Sequence, residues 1–337
     1  MSDIKLFTSV SEAIQSIFGQ NRFVSQKRYA AGGDINEARV LTLDDGTTLF
    51  MKSNSAASLA NFMAEAAGLE EIRSTGAIGV PDVLGAGTDA GISFLLLSYI
   101  GSSGRIRHYW ETFAAELAAM HGSGMHGAAM DGASMHGAGT HGVAAQGAAK
   151  RGTTIFGTGE VRSSKMAKTV EFGFSEDNWI GAGKQINTPH SKWIPFFRDC
   201  RLAPQLHAAK GYFSVEDLNR AEYILAHLDR FLEEPERPSL VHGDLWSGNM
   251  ITGNDGKGWL IDPAVYYGHP EVDIAMTELF GGFPRAFYEA YEDTGMLQPG
   301  YGDRRDLYNL YQRLNHLNMF GRGYLPEVRR ILKRYAG

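Results

Sequence analysis

Cysteine is almost missing from this 337-residue chain. Cys200 stands alone, so no internal disulfide can form, and a reducing cytosol is the expected home. Long apolar runs are missing too: stretches such as residues 94–97 fall far below the roughly 20 residues a membrane-spanning helix needs, and no charged-then-apolar leader follows Met1. Neither sign of charge accumulates. With 38 acidic and 32 basic residues the net charge is −6, which gives no footprint for a phosphate backbone, so neither nucleic acid nor membrane is expected as a partner. The pattern G-x-x-x-x-G-K-[ST] is absent as well, which disfavours a Walker-type nucleotide fold. What is present is enough apolar matter, 43% of the residues, to bury a substantial core in one large domain or two lobes.

Local patterns divide the chain near residue 100. Ser9 and Glu12 stand at capping-box spacing before Val10, Ile14, Ile17 and Phe18, and Gly19 can end that helix. Strand-like segments over residues 23–29, 38–43 and 48–52 follow, separated by Gly32-Gly33 and by the hairpin turn Asp44-Asp45-Gly46. A helix over 58–74 carries Leu59, Phe62, Met63, Ala66, Leu69 and Ile72 at helical spacing, and a buried strand over 92–100 precedes a hinge at Gly101 to Gly104. Beyond the hinge, helical periodicity dominates over 110–120, 193–206, 215–232, 272–280 and 307–319, with one hairpin around Gly253-Asn254-Asp255-Gly256. From Gly122 to Gly157 a glycine recurs every five residues among Ala, Met and His. Five residues match neither the helical nor the strand period, and the spacing of His121, His126, His136 and His141 fits no zinc signature, so residues 122–169 or so read as a solvated low-complexity insertion rather than a metal loop.

The chemistry concentrates in Ser239-Leu-Val-His242-Gly243-Asp244-Leu245-Trp246-Ser247-Gly248-Asn249 and the Asp262 that ends the following hairpin. Asp244, Asn249 and Asp262 are spaced by five and then thirteen residues. In a loop followed by a hairpin, that spacing lets Asp244 reach a substrate hydroxyl while Asn249 and Asp262 offer hard oxygens to Mg²⁺, the division of labour that phosphoryl transfer requires. It is also the spacing of the protein-kinase catalytic loop and its metal-binding aspartate. Upstream, Lys52 ends a strand, and Glu65 lies on the otherwise apolar line Phe62, Leu69, Ile72. A carboxylate facing a packed stripe demands a partner, and Lys52 is the available one; the pair would present an ammonium to nucleotide phosphates. Gly32 and Gly33, between the first strands, would supply backbone amides to the same phosphates. The fold expected is α+β and two-lobed, protein-kinase-like, with a small antiparallel-sheet lobe at 1–100 and a mostly helical catalytic and substrate lobe at 101–337.

The wording of the motifs resembles the fructosamine kinase family: Gly32-Gly33-Asp-Ile-Asn36, His242-Gly-Asp-Leu-Trp-Ser-Gly-Asn249, Ile261-Asp-Pro-Ala264, the region from Phe172 to Leu206, and Gly268-His-Pro-Glu-Val-Asp-Ile-Ala275. The similarity runs nearly end to end and is interrupted by the pentad insertion. It implies ATP- and Mg²⁺-dependent phosphorylation of the 3-hydroxyl of ketosamines, free or protein-linked, in the repair of glycation. By that resemblance Asp244 is the base, Asn249 and Asp262 are the metal ligands, Lys52 is the phosphate clamp positioned by Glu65, and adenine meets Leu97, Tyr99 and Ile100. Trp246 would stack on the sugar, with Asp177, Asn178, Gln185 and Asn187 at hydroxyls or the amine. His242 would pack beneath the catalytic loop and Asp273 would brace its amides. An aminoglycoside- or choline-type phosphotransferase shares His-Gly-Asp and the later Asp and is the alternative enzyme; a catalytically inactive kinase-like binding protein is the alternative of another class.

Overall fold

The computed structural model describes residues 4–30, 36–123 and 170–337. The first lobe opens with β1 (Leu6–Phe7) and α1 (Val10–Phe18), continues through β2 (Val24–Tyr29), β3 (Glu37–Leu43), β4 (Thr48–Ser55) and α2 (Leu59–Ser74), and closes with β5 (Val83–Asp89) and β6 (Ile92–Ser98). Its six strands lie in the order β1-β5-β6-β4-β3-β2. Every pairing is antiparallel except that of β1 with β5, so the sheet is mixed rather than purely antiparallel. The first helix is capped as its sequence demands in one half only: Ser9 Oγ accepts from Glu12 N, whereas the Glu12 carboxylate turns to Thr8 N and Thr8 Oγ rather than to Ser9.

Strand β5 has no sequence counterpart, because Gly85 and Gly87 break its apolar pattern. Their role is close approach. A Cβ on Gly87 would lie 2.0 Å from the Phe7 carbonyl oxygen, and one on Gly85 would lie 2.5 Å from the Phe7 ring, so the glycines are what lets β1 join the sheet.

The second lobe comprises α3 (Tyr109–Gly122), the short hairpin β7 (Asn178–Ile180) and β8 (Gly183–Gln185), α4 (Trp193–Phe196), α5 (Ala203–Ala208), α6 (Val215–Ala226), β9 (Ser239–Val241), the hairpin β10 (Met250–Thr252) and β11 (Gly258–Leu260), β12 (Tyr266–Gly268), α7 (Glu271–Thr277), α8 (Arg285–Glu292), α9 (Tyr301–Phe320) and α10 (Leu325–Ala336). A π-helical stretch, Phe197–Leu202, joins α4 to α5, so the periodicity over 193–206 is one continuous helical run. One core cluster gathers Trp193, Phe196, Phe197, Tyr266 and the buried faces of α9 and α10. A second crosses between the lobes, bringing Phe62, Leu69 and Ile72 of α2 together with Leu95, Leu117, Leu240, Leu260 and Val265. That shared core holds β4, α2 and the catalytic loop in one frame. No helix among the described residues is long and apolar enough to cross a membrane.

Candidate active site

The catalytic loop is built on glycine and on one buried aspartate. Gly243 sits at φ +81°, and a Cβ there would be 2.1 Å from the Ala264 carbonyl oxygen, so the loop can turn only at a glycine. Asp273, at the start of α7, accepts the backbone N–H groups of His242 (2.7 Å) and Gly243 (2.9 Å), which is the bracing its sequence position implied. His242 lies fully buried under the loop. Its Nε2–H donates to Ile261 O at 3.0 Å and its Nδ1 accepts from Asp244 N at 3.3 Å. Burial holds this imidazole below its ordinary pKa, so it is neutral, and the two contacts fix which nitrogen carries the proton.

His121, which the sequence groups with the repeat histidines, stands apart from them. It is buried at the end of α3, where Tyr291 O–H donates to Nδ1 at 2.6 Å and Nε2–H donates to Asp273 Oδ2 at 3.0 Å. The catalytic turn is therefore braced from α3 and α8 through Asp273. No local pattern marked His121 or Tyr291 for this role, since the partners lie 152 and 170 residues away in sequence. His126, His136 and His141 lie outside the described residues, and among the described ones no cluster of three His, Cys, Asp or Glu side chains could cage a metal.

Asp244 is bonded to Asn249 and Asp262 to Lys52, and the two pairs are adjoined where Ile261 N donates to Asn249 O at 3.0 Å. Asn249 Nδ2 donates both to Asp244 O (2.8 Å) and to Asp244 Oδ2 (2.9 Å), which anchors the aspartate and leaves the amide oxygen to point elsewhere. Burial pushes the Asp244 carboxyl up to about 7, with the Asn249 bond acting against it and the charges of Asp262 and Asp273 adding to it. Asp262 holds φ +55°, a left-handed conformation that side chains avoid unless the surroundings impose it. Its Oδ1 receives the Lys52 ammonium, and Lys52 also donates to Glu65 Oε1 at 2.7 Å. The Lys52 side chain is 8% exposed and that of Asp262 41% exposed. Burial alone would discharge Lys52, but Glu65 first and Asp262 next outweigh it and hold the ammonium above its ordinary pKa. Burial holds the Glu65 carboxyl above its ordinary pKa, with the Lys52 ammonium 2.7 Å away acting against it.

The donor set suits a hard cation. Among the described residues nothing donates to Asn249 Oδ1 or Asp262 Oδ2, and one carboxylate with one amide is the protein share that Mg²⁺ takes when phosphates and water complete its shell.

Around this centre the other expected residues fall into two groups. Leu97 is buried in β6 opposite Phe50, and Tyr99 and Ile100 continue the chain into the hinge. The hinge is docked on the β10–β11 turn by Ser103 Oγ on Gly253 O (2.9 Å) and Ile106 N on Gly256 O (3.1 Å). Gly32 and Gly33 lie outside the described residues. Trp246 lies across Gly248, where a Cβ would meet its ring at 2.3 Å, and packs edge-on against Phe280 with centroids 5.4 Å apart. Phe280 is 38% exposed, so the two rings form a wall at the surface, with Trp246 two residues beyond Asp244.

Asn178, Gln185 and Asn187, expected at substrate hydroxyls, are instead buried and committed to the interior. Asn178 Nδ2 donates to Val265 O (2.7 Å), Gln185 Nε2 to Ala264 O (3.0 Å) and to Asn178 Oδ1 (2.8 Å), and Asn187 Nδ2 to Asn178 Oδ1 (2.9 Å). Asp177 serves the same loop: it accepts Asn187 N at 2.8 Å and pairs with Lys184 at 3.1 Å, and the Asn187 bond leads in lowering its pKa. Amides look alike in sequence whether they meet a sugar or a carbonyl; the burial that separates the cases is tertiary.

A β-sheet lobe with a lysine and glutamate pair, joined to a helical lobe that presents Asp, Asn and Asp on one loop and hairpin, defines a kinase-like phosphotransferase. The fructosamine kinase family model matches residues 6–136 and 146–336. A Synechocystis protein named as a probable ketoamine kinase is 35% identical over 328 residues, covering 97% of this chain and 95% of its own. A chloroplastic protein-ribulosamine 3-kinase of Arabidopsis thaliana is 34% identical over 307 residues, covering 90% and 80%. A crystal structure of a Haemophilus somnus protein assigned as a fructosamine-3-kinase superposes with a TM-score of 0.75 at 26% identity, covering 98% and 97% of the two chains. The chain belongs to the fructosamine kinase family.

Proposed function

We propose that this protein is an ATP-dependent ketosamine 3-kinase that acts on ribulosamine- or fructosamine-type adducts, free or protein-linked. The observation that carries the reading is the convergence of Asp244, Asn249, Asp262 and Lys52 at one place, in a chain of this family. Asp244 takes the proton of the sugar 3-hydroxyl; the oxygen forms the new bond to the γ-phosphorus of ATP, and the bond from that phosphorus to the β,γ-bridging oxygen breaks to release ADP. Lys52, held by Glu65, meets the phosphates. Asn249 and Asp262 would hold Mg²⁺, which offsets phosphate charge when bound. Trp246 and Phe280 offer an apolar face to the sugar ring and its amine. Among the adducts of this class, 3-phosphorylation leads to loss of the sugar from the amine.

The test is ADP formation with ribulose-lysine and fructose-lysine against kanamycin and choline, with the phosphorylated oxygen located by NMR. Turnover on the ketosamines with the phosphate at O3 is expected. Preference for kanamycin or choline would reject the assignment. Removing divalent cations with a chelator should abolish turnover and added Mg²⁺ should restore it; undiminished rates in chelator would reject the metal roles of Asn249 and Asp262.

A further inference from the structure

Glu65 can hold Lys52 only while α2 stays in place, and α2 has no side-chain cap at its N-terminus to fix it locally. It is fixed from the other lobe. One turn beyond Glu65, Gly68 faces the segment after Asp262: a Cβ there would lie 3.1 Å from Val265 Cγ2 and 3.4 Å from Pro263 Cγ. A turn further, Glu71 Oε1 accepts the Tyr267 O–H at 2.7 Å. The same short segment is also held by the amides of Asn178 and Gln185 on Val265 O and Ala264 O, and the reciprocal bonds between Gly173 and Tyr267 (2.9 and 2.8 Å) extend the grip. Behind these amides, Arg201 donates to Asn187 Oδ1 at 2.8 Å and lies 3.9 Å from the Tyr266 ring centroid, so a buried cation closes the network.

We propose that the Asn178–Gln185 amide block and residues 263–267 form a clamp under α2, which sets Glu65 on Lys52 before the nucleotide arrives. Asn178, Gln185, Val265, Tyr267, Gly68 and Glu71 are then positioning residues for ATP, although none is placed at the nucleotide. Where a strand lysine must meet a helix glutamate, moving that helix switches the enzyme. Here the glycine contact and the tyrosine bond leave α2 a single seat, so the nucleotide site is assembled in the resting protein. The proposal rests on the kinase reading above for the role of Lys52.

The test uses Tyr267→Phe, Asn178→Ala and Gly68→Val in the full chain, with affinity for a fluorescent ATP analogue and the KM values for ATP and ketosamine as readouts. Tyr267→Phe removes one bond to a charged acceptor and should weaken nucleotide binding about fivefold, raising KM for ATP alike and leaving KM for ketosamine unchanged. Asn178→Ala should act in the same direction, and Gly68→Val more strongly. If Gly68→Val does not fold, Tyr267→Phe still decides. In a Glu65→Gln background, Tyr267→Phe should add no further loss, because both changes act through one contact. Equal losses with and without Glu65, parent-like nucleotide affinity in Tyr267→Phe and Asn178→Ala, or a rise confined to KM for ketosamine would each overturn the clamp. Nucleotide binding is read without any acceptor, so failure to phosphorylate a ketosamine would sink the proposed reaction while leaving the clamp decided on its own.

Discussion

Asp244 is tied to Asn249 by its own backbone and side chain, so a change at its carboxylate can be made without dismantling the loop. Asp244→Asn should lower kcat about 10³-fold, the scale of a lost general base, while calorimetry still shows ATP binding; unimpaired turnover would remove Asp244 from the proton transfer. Lys52→Arg should fail differently. The slot between Glu65 and Asp262 admits a compact ammonium at the end of a buried stem, and a planar guanidinium would separate the two carboxylates, so KM for ATP should rise by about tenfold or more in steady-state assays. At this scale the sequence was informative about placement where it follows from neighbours in the chain, as with Asp244, Asn249 and Asp262 on one loop and the hairpin after it. It misassigned Asn178, Gln185 and Asn187, whose polar atoms face carbonyls and one another in the interior.

At the level of elements, glycine records where two backbones touch. Gly87→Ala would place a methyl 2.0 Å from the Phe7 carbonyl oxygen, and β1 must move away; urea unfolding should show a loss of about 1–3 kcal/mol with kinetics little changed, since β5 and β6 separate β1 from β4 and its Lys52 in the sheet order. A midpoint equal to the parent's would mean that β1 gives no support to the sheet. Gly248→Ala should act on substrate instead, because its Cβ would push the Trp246 ring off its seat and raise KM for ketosamine but not for ATP. Helices with long apolar stripes, such as α2, α3 and α9, announced themselves, whereas α8 and α10 did not. Both are amphipathic, burying Phe287 and Tyr291 in one and Leu325, Val328, Ile331 and Leu332 in the other, and their many charged residues read as surface.

Across the whole molecule, buried histidines couple stability to acid. His269 is 1% exposed, packs against the rings of Trp193 and Tyr308, and accepts Glu271 N at its Nδ1. Burial lowers its pKa from the ordinary 6.5 to about 4. The unfolded chain therefore binds the extra proton between those values, so this contribution is complete above about pH 6.5 and is lost as pH falls toward 4, at about 1.4 kcal/mol per pH unit. His269→Asn, which keeps an acceptor for Glu271 N, should show a shallower decline in urea midpoint over that window; an unchanged slope would assign the acid sensitivity elsewhere. The sequence by itself determined the two-lobed plan and the family, because hydrophobic period and loop spacing are local and short motifs are read without knowing what they pack against. Only the tertiary structure decided that β1 enters the sheet beside β5, that His121 and Tyr291 support the catalytic turn, and that the amides read as sugar contacts grip the segment after Asp262. Those outcomes depend on which distant backbones and side chains share a buried volume, and burial is a property of the folded whole.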